Sequence, residues 1–179
     1  MPNDTIPALA YFGRAPVLAE EIVRGLAARK KMIAAAESCT AGLASDSITR
    51  VPGASNVFWG SFVSYTADAK VKMLGVPEEL IEEHGEVSRA VALAMAEGAL
   101  EKSGASWAFS TTGFAGPGGG RAGTPIGTVW IGIAGRDGGP QGALWSEAKT
   151  FFFVGGRNEV REAAAAVALQ ALLEKINCT

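Results

Sequence analysis

The run Met32-Ile33-Ala34-Ala35-Ala36, followed at once by Glu37-Ser38-Cys39-Thr40-Ala41-Gly42, constrains this chain more than any other feature. A short apolar run of this length is a buried strand, and the polar stretch that closes on glycine is a turn. Ala41 to Arg50 then continues as a helix, with Thr40 placed to cap its exposed amides and Val51-Pro52-Gly53 to stop it. Strand–turn–helix is the repeating unit of α/β folds.

Other segments keep up the alternation. From Val17, Leu18, Ile22 and Leu26 recur every fourth position and Glu20 is set to pair with Arg24, which predicts an amphipathic helix. Val57 to Tyr65 is β-branched and aromatic, a second strand, and a short helix over 67–73 comes after it. Pro77 to His84 forms another helical turn or two. Ser88 to Ser103 carries Val91, Met95 and Ala99 on one face and ends at Gly104, where a left-handed glycine belongs. Trp107 to Thr111 is a third strand running into a glycine-rich loop, and residues 127–134 and 143–154 predict a hairpin. Val160, Ala164, Val167 and Ala171 mark one face of a last helix over 158–175. Together these predict a three-layer α/β/α sandwich on a mixed, mostly parallel sheet. Residues 1–16, with Pro2, Pro7 and Pro16, read as an extended arm, and 17–179 as one domain whose glycine clusters at 113–123 and 135–142 are loops.

Composition narrows the function. The chain has 179 residues, 48% hydrophobic and 19% charged, the balance of one compact domain. A net charge of −2 and a pI near 5.5 give no cationic surplus for phosphate backbones, so nucleic acid is not an expected partner. Cys39 and Cys178 lie too far apart in sequence to suggest a disulfide framework. Met1-Pro2-Asn3-Asp4 lacks a basic segment ahead of an apolar one, and no apolar run nears the roughly 18 residues of a membrane span, so the expected location is the cytoplasm. One histidine and two distant cysteines cannot furnish a zinc ligand set; neither metal nor other cofactor is expected.

Ser38 falls at the carboxyl end of a strand, where open α/β sheets bind ligands, and amides at a helix start can support a developing oxyanion. Ser38 and Thr40 suit a plain helix cap equally well. A nucleophilic serine needs a base. The only histidine, His84, adjoins the acidic run Glu78-Glu79-Leu80-Ile81-Glu82-Glu83 and reads as solvated, whereas Lys70 comes after the second strand and can be brought beside Ser38. Burial turns a lysine into a proton acceptor, and Tyr65 could hold or relay that proton, although a lone helical lysine is commonly surface. Cys39 is the competing nucleophile, or simply a small buried hydrophobe. Thr111 to Gly120 offers unhindered amides to a phosphate or ribose, or is an ordinary surface loop; it has no Gly-Lys-Ser/Thr after it to make a P-loop. Arg157 and Arg161, at the start of the last helix, could supply positive charge to a phosphate or stay solvated.

Taken together, Ala36 to Gly42, Gly60-Ser61-Phe62-Val63-Ser64-Tyr65 with Lys70, Gly85-Glu86-Val87-Ser88, Thr112 to Gly119 and Gly127-Thr128-Val129-Trp130 resemble the CinA carboxy-terminal domain family, in the same order over about residues 17–175. The resemblance implies a nicotinamide-nucleotide amidase of pyridine nucleotide recycling, acting on nicotinamide mononucleotide, a small-molecule substrate, as a homodimer. It implies Ser38 as nucleophile, Lys70 as base and Tyr65 as its neighbour, with Thr40 and Thr112 lining the site. Gly42, and Gly113 and Gly116 of the glycine-rich loop, would contact substrate, and the loop with Arg157 would face the ribose phosphate. Ala41 stands where relatives commonly carry glycine. Larger members add an amino-terminal domain resembling molybdopterin-binding proteins and linked to ADP-ribose hydrolysis, an activity not expected here. A non-catalytic nucleotide-binding module, or a domain that dimerises through alanine-rich helices, would be compatible with the same blocks and would tolerate loss of Ser38.

Overall fold

The computed structural model describes residues 5–121, 123–136 and 142–178; the extreme amino terminus and the centre of the second glycine cluster lie outside that range. In chain order the elements are β1 (Thr5–Pro7), a 3-10 turn (Ala8–Tyr11), α1 (Arg14–Arg29), β2 (Ile33–Glu37), α2 (Leu43–Thr49) and β3 (Phe58–Val63). Next come α3 (Ala67–Ala69), which runs on as a π-helical turn (Lys70–Leu74), then α4 (Glu78–His84), α5 (Arg89–Ser103), β4 (Trp107–Gly113), β5 (Thr128–Arg136), β6 (Leu144–Val154) and α6 (Arg157–Cys178).

The sheet has six strands in the order β1-β6-β5-β4-β2-β3. β2 runs parallel to both β3 and β4, β1 runs parallel to β6, and β4-β5-β6 form an antiparallel meander. Helices cover both faces, giving a mixed, mostly parallel α/β/α sandwich. β2 explains the layering: all its residues are buried, and they alternate between two cores. Ile33 and Ala35 join the core of α1, α2 and α6, while Ala34 and Ala36 join the core of α5. Alanine on both faces of a central strand lets a helix lie close on either side.

α5 has the predicted ends. The Ser88 hydroxyl accepts from Val91 N at 3.3 Å, and Gly104 closes the helix in the left-handed region. Its Gly98 is a close-approach point, because a Cβ there would lie 2.1 Å from the Leu74 carbonyl oxygen. The π-helical turn that carries Lys70 is thereby packed directly on α5.

Three local expectations differ from what forms. The amino-terminal segment contributes the edge strand β1, and α1 starts at Arg14 rather than Val17; Pro16 is tolerated because the first helical turn needs no intrahelical N–H donors. The helix after β2 starts at Leu43, and the Thr40 hydroxyl does not cap it. The helix expected over 67–73 forms only one α turn before widening to the π turn.

Candidate active site

Glu37, the last residue of β2, organises the turn that leads into α2. Its fully buried carboxylate accepts from Thr40 Oγ1 at 2.7 Å, from the amides of Gly42 at 2.8 Å, Ala44 at 3.3 Å and Ser45 at 2.9 Å, and from the Ser45 hydroxyl. A strand carboxylate therefore caps α2, in place of the Thr40 hydroxyl, and it occupies the helix-start amides that the sequence offered to an oxyanion. Ala41 (φ 50°) and Gly42 (φ 95°), both left-handed, swing the chain round this anion. Ser38 N donates to Thr111 O on β4 at 3.0 Å. From α6, Arg161 donates Nε to Cys39 O and Nη2 to Thr40 O, each at 3.1 Å. The turn that presents Ser38 is held from the strand, from the neighbouring strand and from the helix.

β3 pairs beside β2, and the π-helical turn beyond it brings Lys70 back over Ser38. Only 1% of Lys70 is exposed. Its Nζ lies 3.2 Å from Ser38 Oγ, 3.3 Å from Ser64 O and 3.2 Å from Glu86 Oε2, an acceptor for each ammonium hydrogen. Glu86 sits just before α5 with 44% of its side chain exposed. Thr112 Oγ1 donates to Glu86 O at 2.7 Å and so ties that segment to β4.

Ser38, Lys70 and Glu86 line a cleft of about 440 Å³, with Tyr65, Thr112, Gly113, Arg121 and Arg157 also on its wall. That volume suits a small ligand. Tyr65, about half exposed, accepts from Arg157 Nη2 at 2.8 Å and makes no hydrogen bond to Lys70 among the described residues. Arg157 Nη1 donates to Gly116 O in the glycine-rich loop.

The structure thus brings Ser38, Lys70, Tyr65, Thr112, Gly113 and Arg157 to one cleft. Thr40 is fully buried behind it, sharing a hydrogen bond with Thr111 Oγ1 at 2.7 Å, and Gly42 and Gly116 act on the turn and the loop through their backbones. Arg161 clasps the Ser38 turn. His84 lies outside the cleft, its carbonyl accepting from Arg121. Burial, the largest cause, pushes the Cys39 thiol up from 9.0 to about 12, with a smaller push from Glu37, against the Thr111 hydroxyl and Lys70. A thiol held neutral is a poor nucleophile. Sequence reasoning gave no role to Glu37, Glu86 or Arg121; the placement of Glu37 at the very end of a buried strand was the available signal, because a carboxylate there must find donors.

Among the described residues no group of three or more His, Cys, Asp or Glu is placed to hold a metal ion, and no helix is long and apolar enough to cross a membrane. The fold is shared with the competence/damage inducible protein CihA from Agrobacterium tumefaciens, at a TM-score of 0.83 and 38% identity over 97% of this chain and 99% of that one. A CinA-like protein of Chlorobaculum tepidum is 46% identical over 159 residues, which are 89% of this chain but only 37% of that longer relative. The protein of Shigella flexneri named nicotinamide-nucleotide amidohydrolase PncC is 42% identical over 158 residues, 88% of this chain and 92% of its own length. The pattern of the CinA C-terminal domain matches residues 16–176, a span that holds every residue lining the cleft. With the overall fold and the sequence in agreement, the chain belongs to the CinA C-terminal domain family.

Proposed function

We propose that this chain hydrolyses the carboxamide of nicotinamide mononucleotide, giving nicotinate mononucleotide and ammonia. The observation that carries the reading is the 3.2 Å contact between Lys70 Nζ and Ser38 Oγ on the wall of the cleft. Identity to a protein bearing that name supports the choice of substrate.

Ser38 Oγ attacks the carboxamide carbon and its hydroxyl proton passes to Lys70 Nζ, 3.2 Å away. Glu86, 3.2 Å from Nζ and partly open to solvent, holds Lys70 over Ser38 and links it to water. Charge then develops on the carbonyl oxygen. The amides of Gly42, Ala44 and Ser45 are already bonded to Glu37, so the amides of Cys39 and Thr40, neither with a backbone acceptor among the described residues, are the donors left in the turn after the nucleophile. The C–N bond breaks as Lys70 returns the proton to the leaving nitrogen, which departs as ammonia. Water, deprotonated by the same amine, releases the acyl group from Ser38. Thr112 and Gly113 border the substrate, Tyr65 and Arg157 face its ribose phosphate, and Thr40, Gly42 and Gly116 fix the turn and the loop.

The test is ammonia release by the purified chain from nicotinamide mononucleotide, nicotinamide riboside and free nicotinamide. Turnover of the mononucleotide that disappears in Ser38→Ala is the expected result. No ammonia from any of them, or undiminished release by the Ser38→Ala chain, overturns the reading.

A further inference from the structure

We infer that Arg121, in the glycine-rich loop, is a second cationic arm of the cleft and that, with Arg157, it selects ligands carrying a phosphate monoester. The inference deepens the proposed function and rests on it for the reacting group, but not for the anion.

Four charged side chains line the cleft: Lys70, Glu86, Arg121 and Arg157. Lys70 and Glu86 offset each other as an ion pair. Neither Arg121 nor Arg157 has a carboxylate partner among the described residues. Arg157 is held by two neutral oxygens, Gly116 O and Tyr65 Oη, and Arg121 by one, His84 O, through Nη2 at 3.0 Å. A guanidinium has five N–H donors, so both keep donors, and their full charge, for a ligand. The wall is therefore left with two uncompensated positive charges. A phosphate monoester, at about −1.5 to −2 near neutral pH, matches them, whereas nicotinamide riboside, a pyridinium cation with no phosphate, and neutral ribose both leave the two guanidinium charges unmatched.

The backbone is arranged around Arg121. Its own N–H and carbonyl are bridged to Thr124 at 3.0 and 2.9 Å, which fixes where the side chain leaves the loop. The guanidinium then lies against Gly85 at the end of α4, where a Cβ would stand 1.6 Å from Nη2 and 2.3 Å from Cζ. Gly85 also has a φ of +78°, so the position suits glycine twice over. The loop is tied on one side to α4 by Arg121 and on the other to α6 by Arg157. Two planar forks on one cleft suit the several oxygens of a phosphate better than point charges would.

The experiment measures binding rather than turnover, by calorimetry on the full chain carrying Ser38→Ala, with nicotinamide mononucleotide against nicotinamide riboside and ribose 5-phosphate against ribose. The chain should favour the phosphorylated partner of each pair. Arg121→Ala should cut that preference by about 10- to 100-fold, the scale of one charge-assisted hydrogen-bonding group. Arg121→Lys should restore part of it, and Gly85→Ala, which displaces the guanidinium without removing its charge, should also reduce it. An unchanged ratio in Arg121→Ala, or no preference in the parent chain, overturns the inference. If the wild-type chain releases no ammonia yet Arg121→Ala loses the phosphate preference, the amidase reading falls and this one stands.

Discussion

Lys70 Nζ stands 3.2 Å from Ser38 Oγ although 32 residues of chain separate them, and both side chains are almost wholly enclosed. The contact joins the residue after β2 to the π-helical turn that follows its parallel neighbour β3, so it depends on the sheet and not on local chain geometry. Replacing either partner should stop the chemistry while leaving the sheet intact. Ser38→Ala and Lys70→Ala should each lower kcat for ammonia release by at least about a thousandfold. Lys70→Arg should be nearly as damaging, because a guanidinium cannot give up its proton. Far-ultraviolet circular dichroism should match wild type in all of them. Retention of substantial activity by Lys70→Arg would show that the position supplies charge and not a base.

Glu37 should prove a stability determinant of the turn. Glu37→Gln keeps the shape but turns an NH2 toward amides that now meet an acceptor, and a buried donor left without a partner costs about 1–3 kcal/mol. With several donors affected, a loss of roughly 2–4 kcal/mol is expected, lowering Tm by roughly 5–15 °C for a chain of this size. Activity should fall as well, since Ser38 is the next residue. A thermal melt within about 2 °C of wild type would contradict this account.

Ala41 offers the opposite change. Its φ of 50° places a Cβ in the left-handed region, at a cost of roughly 1–2 kcal/mol that glycine does not carry. Part of the gain is returned as the greater backbone entropy of glycine in the unfolded chain. Ala41→Gly should therefore raise Tm by about 1–4 °C with ammonia release preserved. A fall in Tm would mean the methyl group contributes packing that outweighs the strain.

Cys39 should be chemically silent at neutral pH, because burial pushes its thiol up to about 12. Iodoacetamide should modify the exposed Cys178 much faster than Cys39, as peptide mapping would show. The shift also fixes a stability trend. A thiol whose folded pKa is raised from 9.0 contributes stability that is full below about pH 9 and is lost as pH climbs toward 12, since only the unfolded chain releases the proton early in that range. The urea midpoint should drop more steeply between pH 9 and 11 in wild type than in Cys39→Ala. Parallel curves would contradict it.

The legible parts of this molecule are those with a period or a boundary. β2 announces itself as an apolar run, α5 by its spacing and by Ser88 and Gly104, and the Ser38–Lys70 pairing comes from two strands ending in polar residues. β1 is illegible because three residues ending in proline can show no alternation. The capping role of Glu37 is hidden for a different reason. Its donors come from positions 40 to 45, and strand-to-helix capping has no fixed spacing like that of a helix-internal box. Glu86 and Arg121 meet the cleft through tertiary packing alone: one waits before α5, the other reaches across to the end of α4.

The order of strands across the sheet carries a consequence for biogenesis. β2 lies between β3 and β4, parallel to both, and parallel neighbours cannot be closed by a hairpin but wait for a crossover. Ser38 is translated early, Lys70 and Glu86 come later, Thr112 arrives with β4, and Arg157 and Arg161 arrive only with α6. A ribosome-bound intermediate that lacks α6 would have the serine turn without the arginine clasp on it. Recovery of turnover after dilution from denaturant then reports the last long-range docking event, and should lag the return of helical ellipticity.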